Sequence, residues 1–299
     1  MAYRLASSDP SVECAIRRIA AEQIAAAVQA IDDPAVEPGS AVHEVRKACK
    51  KLRGVLRLVR CEFKNYAAEN AAFRDIAAQS SGLRDADILI ATHEALVTRY
   101  AAQVDRRSLA PIRRRLTLRR NACAAAQDPT ALLSSCRSDL LAAAERAGHW
   151  RLQAEGFDAL QGGLRKTFAR ARKCMHEARE SPSAGNLHEW RKHCKHHWYH
   201  ARLLGPIWPG PMRAHAQCAG ELGEALGEHH DLAVFMQVIS ADDGAFGKPA
   251  PVEVMAGLAR ARQVSLETEA FALGERLLAQ SPAALSRSWG RRFEAWQDS

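Results

Sequence analysis

Ala41-Val42-His43-Glu44-Val45-Arg46-Lys47-Ala48-Cys49-Lys50-Lys51-Leu52-Arg53-Gly54-Val55-Leu56-Arg57-Leu58-Val59-Arg60 decides the fold. A helix turns about 100° per residue, which gathers His43, Arg46, Lys47, Lys50, Arg53, Gly54 and Arg57 within an arc of about 120°. Val45, Ala48, Leu52, Val55, Leu56 and Val59 fall on the opposite face. The segment is an amphipathic helix whose polar stripe is almost purely cationic. A solvated helix face usually mixes signs, yet Glu44 is its only acid. Like charges at i,i+4 repel, so the stripe points to an anionic partner.

The segment is built twice. His43-Glu44-Val45-Arg46-Lys47-Ala48-Cys49-Lys50 returns as His188-Glu189-Trp190-Arg191-Lys192-His193-Cys194-Lys195. The second stripe carries His188, Arg191, Lys192, Lys195, Tyr199 and Arg202, with Leu187, Trp190, Cys194 and Ala201 towards the other side. A chain of 299 residues suggests two units on length alone. The repeat agrees, and residues 1–150 and 151–299 are expected as two halves, hinged near Gly148 to Gly156 and packed as one body.

Alanine, leucine, arginine and glutamate dominate, and β-branched runs are scarce, so the fold is expected to be all-α. Helices are expected near 11–31, 41–62, 66–103 (broken around Ser80-Ser81-Gly82), 105–126, 131–147, 155–180, 187–204, 212–240, 252–279 and 283–297. Proline, glycine and aspartate clusters separate them. Ser40 is expected to cap the first motif helix, which would put His43 in its first turn, and Ser183 or Asn186 the second. Phosphate near either histidine would be favoured there by unpaired N–H groups and the helix dipole.

Forty-two Lys and Arg against 34 Asp and Glu give a net charge of +8, which favours acidic partners without naming one. Eight scattered cysteines form no CxxC pair and read as reduced core thiols of a cytoplasmic protein; Cys49 and Cys194 share a packing role. Neither a signal-peptide core nor an apolar stretch of 18 residues is present, so no membrane association is expected.

The paired pattern at 43-46-50 and 188-191-195 resembles the CHAD family, a histidine-containing α-helical domain that binds inorganic polyphosphate. Lys51 and Arg53 fill further family positions in the first copy, and His196 and Tyr199 in the second; Trp198 stands where the family usually has arginine. Gly82-Leu83-Arg84-Asp85-Ala86-Asp87 resembles the family's downstream Arg-Asp signature. Leu226-Gly227-Glu228-His229-His230-Asp231 matches it with histidine for arginine, and Leu164 to Arg172 also resembles the family. The resemblance implies two pseudo-symmetric antiparallel helical bundles around a basic central groove or pore. It implies polyphosphate contacts from His43, Arg46, Lys50, Lys51, Arg53 and Arg57, facing His188, Arg191, Lys195, His196, Tyr199 and Arg202, with Lys47, Lys192, Arg84 and Arg172 behind them. A linear polyanion needs a row of cations along its path, which gives the duplication a physical purpose.

Other readings are weaker. His193, His196, His197 and His200 invite a metal, but the zincin spacing is absent; His193, His197 and His200 match Ala48, Leu52 and Val55 and are expected to turn inward, neutral. Asp85 and Asp87 share no face closely enough for a carboxylate pair, and Asp85 and Asp231 are expected to orient basic side chains. Arg113-Arg114-Arg115 reads as surface charge. No phosphate-gripping glycine loop or nucleophile elbow occurs. The expected function is therefore non-catalytic binding of polyphosphate without a cofactor or bound metal, in the cytoplasm and at polyphosphate granules. The alternatives are binding of nucleic-acid backbone and, third, a metal-dependent phosphate-ester enzyme. Binding is expected to weaken with salt, and above about pH 6.5 as histidines lose protons.

Overall fold

The computed structural model describes residues 3–79, 81–126, 128–241 and 246–298, with the side chains of 81–84 outside the description. Among the described residues there is no strand. The helices are α1 (Val12–Asp32), α2 (Pro38–Val59), α3 (Tyr66–Ala78), α4 (Ser81–Arg99), α5 (Arg106–Ala125), α6 (Pro129–Gly148), α7 (Asp158–Glu180), α8 (Ala184–Leu203), α9 (Pro209–Ser240), α10 (Pro249–Leu277) and α11 (Pro282–Gln297). A single 3₁₀ turn, Gly205–Ile207, links α8 to α9.

Short polar side chains and prolines set the starts. Ser11 Oγ accepts from the Cys14 N–H, Asp105 and Asp128 accept from the first turns of α5 and α6, and Ser281 accepts from Ala284. Ser183 caps α8 through the Asn186 N–H at 3.1 Å. Such caps satisfy donors that the helix cannot. Ser40 is not the cap of α2: the helix begins at Pro38, whose fixed φ and missing N–H suit the first position. His43 therefore lies beyond the first turn, away from the free N–H groups.

In the first half, α1, α2, α3 and α6 pack together around Ile16, Leu52, Leu56, Phe73 and Leu140. In the second half, α7, α8, α9, α10 and α11 surround Phe168, Trp190, Leu222 and Phe293. The hairpin of α4 and α5 packs on α9 and α10. Helices before residue 150 thus help cover the core behind it, and 1–150 is not closed on itself. Cys49 and Cys194 are both fully buried, which fits the packing role expected of them.

The halves are joined most tightly where α7 meets α2. A Cβ on Gly163 would lie 1.9 Å from the Leu58 carbonyl oxygen and 2.4 Å from that of Arg57. The obstacle is helix backbone, which cannot step aside as a side-chain tip can. Gly163→Ala is expected to cost about 3 kcal/mol or more through forced separation of α2 and α7, read as a fall in denaturant midpoint. Gly148→Ala, with nothing within 4 Å of its Cβ, serves as the neutral control.

Candidate functional site

The two motif helices touch directly. A Cβ on Gly54 of α2 would stand 2.8 Å from Tyr199 Cβ and 2.7 Å from Tyr3 Oη, so only glycine admits this approach. His200 Nε2 lies 3.2 Å from the Gly54 carbonyl oxygen. On one side of the crossing Lys51 feels the charge of Arg202; on the other, His196 feels that of Arg57. Earlier residues of α2 therefore meet later residues of α8, and the helices run in opposite senses. His43 and His188 each lie eleven residues, about 16 Å of helix, before the crossing, on opposite sides of it. The stripes meet at Gly54 and Tyr199 and run past each other in opposite senses.

Four cations of α2 donate to neutral oxygens. Arg46 Nη1 donates to the Ala77 carbonyl at 2.8 Å and Lys51 Nζ to Gln23 Oε1 at 2.6 Å. Arg53 Nε donates to Asn70 Oδ1 at 3.3 Å, and Arg57 Nη1 to the Arg53 carbonyl at 3.1 Å. These bonds fix position, while Asp75 acts on Arg53 and Glu44 on Lys51 as opposing charges. Burial, then the charge of Arg53, pushes the Arg57 guanidinium down to about 10. Burial likewise lowers Arg53 and Lys51. Lys47 differs, bonding Glu44 at 3.0 Å, and Lys192 repeats that pairing with Glu189. Both pairs are exposed, and such pairs are worth about 0–1 kcal/mol. His43 and Lys50 are exposed on the same helix.

On α8 the cations lie across a stair of small residues. A Cβ on Gly227 would meet Arg191 Nε at 3.0 Å, one on Gly223 the Lys195 stem at 2.9 Å, and one on Gly220 the Trp198 Nε1 at 3.1 Å. Arg191 and Lys195 thereby line a cleft of about 360 Å³ between α4, α8, α9 and α10, beside Glu224, Glu228 and Asp231. Arg262 in its wall is tied to Glu228 at 2.6 and 2.7 Å. Burial lowers the Lys195 ammonium, with Glu224 opposing. Asp231 stands in this cleft with Arg191, as a positioning acid would. Asp85 acts on His230 of α9, and Asp87 pairs with Arg120 at 3.1 Å.

The histidines of α8 turn inward. His197 and His200 are fully buried, and His197 Nε2 lies 2.7 Å from His215 Nε2. His193 meets His196 edge to face, and His188 lies 4.0 Å, centroid to centroid, from His230. Burial, first among the causes, pushes His188 and His193 down to about 4 and His200 to about 3, and holds His196 and His197 well below their usual range. In the unliganded chain burial therefore favours the neutral form of these α8 rings. Among the described residues, no group of three His, Cys, Asp or Glu is placed to hold a metal ion.

Arg172 leaves the site, since its guanidinium donates to the Gln280 carbonyl at the start of α11. The Arg84 side chain lies outside the described residues. Arg113 is exposed and pairs with Glu94 at 2.7 Å, as surface charge.

The family model described as CHAD domain matches residues 18–240, three quarters of the chain. The chain belongs to the CHAD family. Its fold is similar to the crystal structure of the CHAD domain from the plant Ricinus communis, at a TM-score of 0.62 and 17% identity, over 94% of this chain and 98% of that one. No protein of curated function matches the chain. No helix of this CHAD chain among the described residues is long and apolar enough to cross a membrane.

Sequence reasoning missed several neighbours of the two motif helices. Arg170 of α7 acts on His193, and Gln23 of α1 anchors Lys51. The Gly220, Gly223 and Gly227 stair left a signal in the sequence, since three and four residue spacing puts all three on one helix face. Gln23 left none, because a single glutamine beside the alanines of α1 carries no pattern.

Proposed function

We propose that this CHAD chain binds inorganic polyphosphate without catalysis, along a track formed by α2 and α8. The supporting observation is Arg57: a half-buried guanidinium held down first by burial and then by Arg53, with Arg60 adding to the repulsion. A phosphate there would relieve the repulsion, and guanidinium binds phosphate through paired donors. His43, Arg46 and Lys50 serve one arm, His188, Arg191 and Lys195 the other, and Lys51, Arg53, Arg57, His196, Tyr199 and Arg202 the middle. Lys47 and Lys192 stand at the edge. The contacts Lys51 to Arg202 and Arg57 to His196 are reciprocal in the repeat, which supports reading 1–150 and 151–299 as related halves. Polyphosphate is read at its backbone, so cytoplasmic granules of the polymer would be the place of action.

Calorimetry with long-chain polyphosphate against a charge-matched oligonucleotide tests this. The expected result is binding that the oligonucleotide does not displace, with log affinity falling linearly in log salt. Displacement by the oligonucleotide at equal charge would move the site to nucleic-acid backbones, and a flat salt response would remove the stripes as the site.

A further inference from the structure

A second groove lies where α8 ends. It encloses about 550 Å³ and is lined by Tyr3, Arg4, Trp198, Arg202, Met212 and Arg213, with small residues and prolines completing its wall. That volume is in the range of small-molecule sites. Three guanidinium groups line it and no carboxylate does. Its floor is apolar: Trp198 and Met212 lie against Ala201, Pro206, Pro209 and Ala216. The stripe cleft differs, since Glu224, Glu228 and Asp231 line it with the cations.

Trp198 separates the two. Lys195, which lines the stripe cleft, stands with its ammonium 4.7 Å from the indole; Arg202, which lines the second groove, stands 4.6 Å from the same ring. In the repeat Trp198 corresponds to Arg53, so the second copy has an apolar plate where the first continues its charge. Arg202 also lies 5.7 Å from the Tyr3 ring. Two aromatic rings thus orient one guanidinium before any ligand arrives, which lowers the cost of binding.

An inorganic polyanion would use the guanidinium groups and gain nothing from the indole or the methionine. An apolar ligand would gain from the floor and leave three cations unmet. We propose that this groove, which adjoins the track and shares Arg202 with it, is a site for an organic phosphate, with a planar ring lying against Trp198 and Met212 and phosphate oxygens on Arg4, Arg202 and Arg213. A nucleotide is the class of molecule that carries both parts.

Titration with ATP, tripolyphosphate and adenosine at matched ionic strength, read by calorimetry on the full chain, tests it. ATP is expected to bind at least tenfold more tightly than either fragment. Arg213→Glu is expected to weaken ATP at least tenfold while leaving long-chain polyphosphate unchanged, because Arg213 is not part of the track. Trp198→Arg is expected to erase the preference for ATP over tripolyphosphate. Equal affinity for ATP and tripolyphosphate in the unmodified chain would overturn the proposal, as would ATP affinity indifferent to Arg213→Glu. The track stands or falls separately: Arg46→Glu with Arg191→Glu is expected to remove polyphosphate binding and retain that of ATP.

Discussion

Between pH 6.5 and about pH 4, this CHAD chain is expected to lose stability steeply. An unfolded histidine takes up its proton near pH 6.5. In the folded chain His188, His193 and His215 hold theirs off until about 4 and His200 until about 3, and His197 sits well below its usual range. The unfolded state therefore binds more protons throughout that window, so stability rises with pH there; it is fully present above 6.5 and is lost as pH falls. A fully buried histidine that stays neutral contributes a slope of about 1.4 kcal/mol per pH unit, and the partly exposed His188 and His193 contribute less. His197 and His200, both with no exposed surface, give together about 3 kcal/mol per unit. That is a large share of the 5–15 kcal/mol typical of a folded domain. Guanidinium midpoints at pH 7, 6 and 5 check the slope. Equal midpoints would mean that the rings take up protons inside the native fold.

The second large effect concerns binding. Arg46→Glu with Arg191→Glu is expected to lower polyphosphate affinity by about 100-fold to 10,000-fold, because each removes a charge-assisted contact worth about 1.5–3 kcal/mol and adds repulsion. The two residues stand on opposite arms of the track, at Ala77 and at the Gly227 step. Being far apart, the single variants are expected to add in free energy. Circular dichroism is expected to stay unchanged. Polyphosphate affinity retained in the folded double variant would sink the track.

The helices were legible because periodicity and punctuation are local. Proline and glycine clusters place the α5 to α6 and α10 to α11 breaks within a few residues, and Ser183 caps as its sequence suggests. The crossing of α2 and α8 was not legible. Gly54 reads from sequence as one more residue on a polar stripe, and its role appears only when Tyr3, Tyr199 and His200 arrive from distant parts of the chain. His193, His197 and His200 were legible as inward and neutral from their match to Ala48, Leu52 and Val55, whereas His188 and His196 look like added cations until burial favours their neutral form, which moves their influence from binding to stability. Arg172 fits the family pattern and still turns to Gln280, because its side chain follows the α7 face that meets the last loop.

Gly54 and Tyr199 occupy the same place in the two copies of the repeat, yet they meet each other. Two separate, identical chains related by a dyad would bring like against like at that point. Paired glycines would leave a hole between the helices, and paired tyrosines would collide. Joining the copies in one polypeptide frees each to change alone, so a missing side chain on one can receive a large one on the other. Covalent fusion here is a licence for asymmetry: a lock and a key cut from the same blank.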